Sequence, residues 1–193
     1  VGAAESDLGK VAEHTSPLDL MAQATVRALD DCGLKMSDID GLFCAVGQVR
    51  LSPLALAEYL RLKPNYFDGT IIGGSSFMAQ ITHAQAAIEA GLCEVALIAY
   101  GSTQKTVSRT AAGRPEYNYY ETPYKPFLPS SAYAMAAARH MHEFGTTREQ
   151  LAEVAVAARK WALLNPKAWE KEPLSVEQVL NARMVSYPFT VRD

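Results

Sequence analysis

Between Asp68 and Gly91 runs DGTIIGGSSFMAQITHAQAAIEAG, in which a glycine-serine turn joins an apolar extended stretch to a helix with almost no face for water. Phe77, Met78, Ala79, Ile81, Ala84, Ala86, Ala87 and Ile88 lie on all sides of the helix spelled by 75–90, so this helix is expected to be buried between layers. A helix entered through Gly73-Gly74-Ser75-Ser76 starts with unpaired N–H groups, a setting suited to an oxyanion or a phosphate. Ser75 or Ser76 could stand there as a nucleophile, because the helix dipole favours developing negative charge at that end. Equally, Ser75 could be an N-cap and the glycines could simply permit a tight turn. No G-x-S-x-G elbow decides between the two. His83 shares the small-residue side of the helix with Ser76, Ala79, Gln80 and Ala87, either as a hydrogen-bonded core residue or as a base.

The flanking sequence alternates strand and helix. Residues 17–32 repeat apolar positions at helical spacing behind Ser16 and Pro17 and stop at Gly33, and 41–46 then read as a short buried strand. A short helix over 53–60, an extended segment over 66–72 and an apolar strand over 95–100 complete an α/β pattern with a parallel or mixed sheet. From Ser102 to Pro129 the chain is polar, aromatic and proline-containing without sustained period, which suits a functional flap. Helices follow over 130–144 and 147–164, the second ended by Asn165-Pro166, then a short helix over 175–181 and an extended segment over 185–191.

With a net charge of -3 and no run of like charge, neither nucleic acid nor anionic lipid is a favoured partner. No stretch has the length of a membrane span, and the first ten residues lack a signal-peptide pattern, so a cytoplasmic location is expected. Cys32, Cys44 and Cys93 are an odd number at wide spacing with no C-x-x-C, which suits reduced thiols and argues against a metal site. Val1 to Ala4 read as the end of a strand whose start is missing.

The helix, its approach and the Ala-Gly exit at 90–91 resemble the thiolase segment that carries the acyl-accepting cysteine. LDDCGLKMSDIDGL over 29–42 is similar to the first helix and second strand of that superfamily. FGTTREQLA (144–152), NPKA (165–168) and EQVLNARMV (177–185) resemble later helices of the branch related to sterol carrier protein X, and the order of these segments covers most of the chain. The resemblance implies an α/β thiolase-like fold, layered α-β-α-β-α in the full protein, with this chain as the first βαβαβ half plus its loop domain. It implies boundaries at 1–101 for the first part of that half, 102–183 for loop domain and flap, and 184–193 for the return toward a missing last strand.

The resemblance also implies a coenzyme A thioester as substrate with no covalently bound cofactor, and activity of the acetyl-CoA acetyltransferase type in lipid metabolism. One departure alters that expectation. Aligning the helix ends places Gly74 at the nucleophile position, or Ser75 with a one-residue shift, and neither supplies a thiolate. The resemblance then extends to aldolases that cleave steroid side chains as CoA thioesters, which lack the cysteine and pair with a zinc-bearing OB-fold partner. Gly74, Ser75, Ser76 and His83 are the candidate catalytic positions; Lys105, Arg109, Arg114, Tyr117 and Arg159 are candidates for binding the CoA moiety. A homodimer is the expected assembly, and the fragment alone is expected to be inactive. The alternative is a non-catalytic thiolase-fold subunit that binds acyl-CoA or scaffolds a partner.

Overall fold

A computed structural model describes residues 1–107 and 119–193. The chain divides into two compact units, Val1–Arg114 and Pro115–Asp193.

In the first unit, α1 (Pro17–Cys32) opens with a capping box in which Ser16 and Asp19 exchange hydrogen bonds, and it closes on Gly33 at φ 72°. Then come β1 (Gly41–Cys44), α2 (Ser52–Leu60), β2 (Tyr66–Asp68), α3 (Ser76–Glu89), β3 (Ala96–Ala99) and the short α4 (Gln104–Val107). The strands form a parallel sheet in the order β2-β1-β3, with Leu42 opposite Phe67 on one side and Leu97 on the other. The central strand is buried at all four positions, as a parallel strand covered on both faces must be. Side chains alternate across it. Leu42 and Cys44 pack with Met21, Val46, Leu56 and Ala99 beneath α1 and α2, while Phe43 packs with Ala84, Ala87 and Cys93 beneath α3. Each fully buried large side chain here, such as Phe43 or Met21, contributes about 1.5–3 kcal/mol.

Asp40, just before β1, ties the crossovers together. Its carboxylate accepts the amides of Glu94 and Val95 at 2.8–3.0 Å, its carbonyl accepts those of Asn65 and Tyr66, and its own amide donates to Val95 O. One residue thus fixes where β2 and β3 begin against β1. Close approach has its own requirement next door: a Cβ on Gly41 would lie 2.7 Å from Cys93 Sγ.

The sequence expectation for α3 needs correction. Ser76, Gln80, Ala84 and Ala87 are buried, but Met78 and Ile81 are 69% and 52% exposed and Ile88 is exposed as well. The sheet covers one face of the helix, and the apolar residues on the opposite face remain in solvent. The extended segment expected over 66–72 is also shorter than read, because β2 ends at Asp68 where Gly69 packs against Pro53.

In the second unit, α5 (Ser130–Phe144), α6 (Arg148–Leu164) and α7 (Val176–Leu180) are followed by β4 (Met184–Ser186) and β5 (Phe189–Thr190). Thr147 and Ser175 cap α6 and α7 with capping boxes, and the two helices pack through Ala152, Val156 and Val179. The segment expected to be extended over 185–191 is instead an antiparallel hairpin of β4 and β5, turned at Tyr187-Pro188.

Candidate active site

In parallel α/β sheets, ligands bind outside the carboxyl ends of the strands, where successive connections leave for opposite faces. β1 feeds α2 on one face and its neighbour β2 feeds α3 on the other, so that point lies between Cys44 and Asp68. The glycine-serine corner follows directly from β2. Its own hydroxyl network fixes its shape: Ser76 Oγ accepts the Ile72 amide at 3.0 Å and donates to Gly73 O at 2.6 Å. Ser76 is 1% exposed, so the hydroxyl is a strut of the corner with both bonds made inside it. Ser75 takes the N-cap position at φ -81° and ψ 0° but makes no side-chain cap hydrogen bond, and it is exposed. No side chain caps α3; the Ser76 amide donates to Gly73 O at 3.1 Å, and those of Phe77 and Met78 are left to solvent or to an anion. Gly73 needs its φ of 81°, a conformation other residues resist, whereas open space surrounds the position a Cβ would take on Gly74.

Behind the corner stands a polar chain that the sequence did not reveal. Asp68 Oδ2 lies 2.6 Å from His83 Nδ1, and Asp68 Oδ1 accepts both the amide and the hydroxyl of Thr70 at 2.9 and 2.7 Å. Burial pushes the Asp68 carboxyl up, but the hydrogen bonds from His83 and Thr70 outweigh it and hold the group below the usual carboxylate value. An ionised Asp68 requires the proton on Nδ1 and leaves Nε2 as the outward-facing nitrogen. Gln80 Nε2 reaches Thr70 O at 3.4 Å, while the fully buried Oε1 of the same side chain has no donor among the described residues. The local signal for this chain was Asp68 followed two residues later by Thr70, the spacing at which an aspartate bonds its own backbone. Nothing in one sequence linked that pair to His83.

Seven residues separate His83 from Ser76, about 10 Å along the helix axis.

The other candidate positions are dispersed. Lys105 is exposed on the short helix α4 (Gln104–Val107), whose Thr106 hydroxyl exchanges hydrogen bonds with the Val11 backbone. The stretch leading into α4 is held at the end of β3 by Gln48, whose side chain accepts from Ser102 Oγ and Thr103 N and donates to Thr103 Oγ1. Arg159 belongs to the second unit, where its guanidinium donates to Glu172 O at 2.6 Å and pairs with Glu170 at 3.4 Å. Arg109, Arg114 and Tyr117 lie outside the described residues. Cys44 and Cys93 are buried in the two cores and Cys32 is on α1, so none of the three thiols belongs to the corner. Among the described residues no cluster of three metal-ligating side chains occurs, and no helix is long and apolar enough to cross a membrane.

No protein-family model matches the chain. Curated relatives do. It is 29% identical over its whole length to the 17-hydroxy-3-oxo-4-pregnene-20-carboxyl-CoA lyase of Mycobacterium tuberculosis, covering 53% of that protein. It is also 29% identical over 92% of its length to the steroid side-chain-cleaving aldolase of Thermomonospora curvata, covering 48%. The acetyl-CoA acetyltransferase of Methanothermobacter thermautotrophicus is 30% identical over the whole chain, with 52% of that protein covered. Among solved structures, the Ltp2-ChsH2(DUF35) aldolase superposes over the full chain with a TM-score of 0.80 at 27% identity, covering 52% of the matched chain. A monomeric SCP2-thiolase like protein from Mycobacterium smegmatis shares the fold with a TM-score of 0.73 at 23% identity, covering 41% of that chain.

An α/β half with its helix N-terminus at the end of a parallel strand, together with these likenesses, defines a thiolase-like protein. The chain is similar to thiolase-like proteins over its whole length, and it spans about half the length of the curated relatives it matches.

Proposed function

We propose that the full-length protein breaks or forms a carbon–carbon bond in an acyl-CoA without a cysteine nucleophile, by retro-aldol cleavage of a β-hydroxyacyl-CoA. The observation that carries this reading is the corner itself. Where the resemblance puts a thiolate there is Gly74, with open space in place of a side chain, beside a helix end that no side chain caps. A thioester oxygen can occupy that space and face the amides. In the cleavage, a base removes the β-hydroxyl proton, the Cα–Cβ bond breaks as the new carbonyl forms, and its electrons pass into a thioester enolate. Corner amides aimed at the enolate oxygen stabilise it, and reprotonation at Cα completes the reaction. No acyl-enzyme is needed. The base comes from the other half of the full-length molecule.

Likeness to a lyase, an aldolase and a structure solved with a DUF35 protein supports this choice over thiolysis. The same reading assigns a zinc-bearing OB-fold partner, a homodimer that covers the exposed face of α3, and a cytoplasmic setting in keeping with three free cysteines. The test is to supply the full-length protein, alone and with its partner, with a β-hydroxyacyl-CoA and separately with a β-ketoacyl-CoA plus CoA. Cleavage of the first alone is the expected result. Turnover of only the second overturns the proposal, and acyl-CoA binding without turnover under every condition assigns a scaffold.

A further inference from the structure

His83 lies about two turns along α3 from the corner, and hydrogen bonds through Asp68 and Thr70 join it to the backbone that leads there. The imidazole Nδ1 meets Asp68 Oδ2 at 2.6 Å, and the other oxygen of that carboxylate holds Thr70 through its amide and hydroxyl. Two residues on, Ile72 is bonded to Ser76, which also grips Gly73. Gln80 pulls on Thr70 O from the same helix. Each segment between Asp68 and Ser76 is therefore anchored either to the dyad or to α3.

We propose that His83 is a positioning residue whose protonation state, passed through Asp68 to Thr70, sets the placement of the Gly73 and Gly74 amides. A neutral ring with its proton on Nδ1 leaves Asp68 a full charge to share between the ring and Thr70. A second proton on Nε2 makes the ring a cation, draws the carboxylate charge toward Oδ2, and weakens what Oδ1 offers to Thr70. The Thr70–Gly74 segment relaxes in response. The His83 side chain is 41% exposed and faces an open cavity of about 380 Å³. The titratable groups around that cavity are Asp68 and Tyr66, both from β2; α3 adds only Ala86 and Ala87 beside His83, and the turn after it adds Leu92.

What the relay positions rests on the acyl-thioester reading above, whereas the relay itself does not. The experiment is a pH titration of the full-length protein labelled with 15N-glycine and 13C-histidine, following the Gly73 and Gly74 amide resonances beside the His83 ring resonance. The expected result is a shift of both amides with the midpoint of the ring, reduced in Thr70→Val, restored in Thr70→Ser and lost in Asp68→Asn. Amides that do not move with the ring in the unaltered protein overturn the relay, a result that needs no variant to fold. So does a shift that persists in Asp68→Asn. Binding of a non-hydrolysable acyl-CoA analogue is measured on the same samples: coupled amides without binding uphold the relay and remove the acyl reading, and binding with uncoupled amides does the reverse.

Discussion

Asp68 and His83, fifteen residues apart, meet at 2.6 Å because β2 ends beside the second turn of α3. The contact fastens the strand before the corner to the helix after it. Replacing the aspartate removes a charged acceptor from His83 and Thr70 together. Asp68→Asn is expected to lower unfolding stability by about 1–3 kcal/mol, the range for losing hydrogen bonds to a charged group. Urea denaturation of the two proteins at neutral pH checks it.

Three aspartates link folding to pH in the same direction. Tyr59 donates to Asp19, the Val95 amide donates to Asp40, and at Asp68 the hydrogen bonds overcome the upward push of burial; all three groups lie below their ordinary value of 3.8. A carboxyl with a depressed folded-state value binds its proton more readily when unfolded, so its contribution is complete above 3.8 and disappears as pH falls through the folded value. The urea midpoint is expected to drop on going from about pH 6 to about pH 3. In Asp40→Asn the drop should be smaller, and an unchanged slope would count against the role given to Asp40.

Adjacent glycines at the corner should respond differently. Gly73→Ala places a side chain at φ 81° and is expected to cost about 1–2 kcal/mol. Gly74 has neither a positive φ nor an atom within 4 Å of the added carbon, so Gly74→Ala should be neutral or stabilising by up to about 1 kcal/mol. Thermal denaturation of the two variants separates them.

Gln80→Met tests whether the buried amide on α3 stabilises the protein. The change removes one 3.4 Å hydrogen bond to Thr70 O and at the same time removes a buried oxygen that has no donor among the described residues. These effects oppose each other, and a net change below about 1 kcal/mol is expected by urea denaturation.

The three cysteines should label in order of access. Burial pushes the Cys44 thiol up to about 11, Cys93 is raised for the same reason and by nearby Asp40, and Cys32 is partly exposed. Peptide mapping after brief treatment with iodoacetamide at neutral pH is expected to find Cys32 modified first. Rapid labelling of Cys44 would contradict its place in the core.

Much of the first unit was legible because its signals are local. The run from Ser16 to Gly33 states both ends of α1, and the buried apolar tetrad over 41–44 states a central strand. The corner was legible as a place, since two glycines and two serines between a strand and a helix have few alternatives. Its internal wiring was not. Ser76 as strut, Asp68 as the partner of His83, and Asp40 as the anchor for residues 54 and 55 positions away depend on contacts that no periodicity encodes. The burial expected for α3 failed for the opposite reason: an all-round apolar helix says that it wants cover on every side, and the chain supplies cover on one.

The tight meeting of Gly41 and Cys93 has a practical side. A sulfur with no space for an added carbon 2.7 Å away has no space for oxygen atoms on that side either, so peroxide that converted it to a sulfinic acid would wedge β1 from the turn that feeds β3. Burial and a raised thiol shield Cys93 while the chain is folded, so oxidation there would follow unfolding and bar the return to this packing, and a reducing buffer during refolding would preserve the yield.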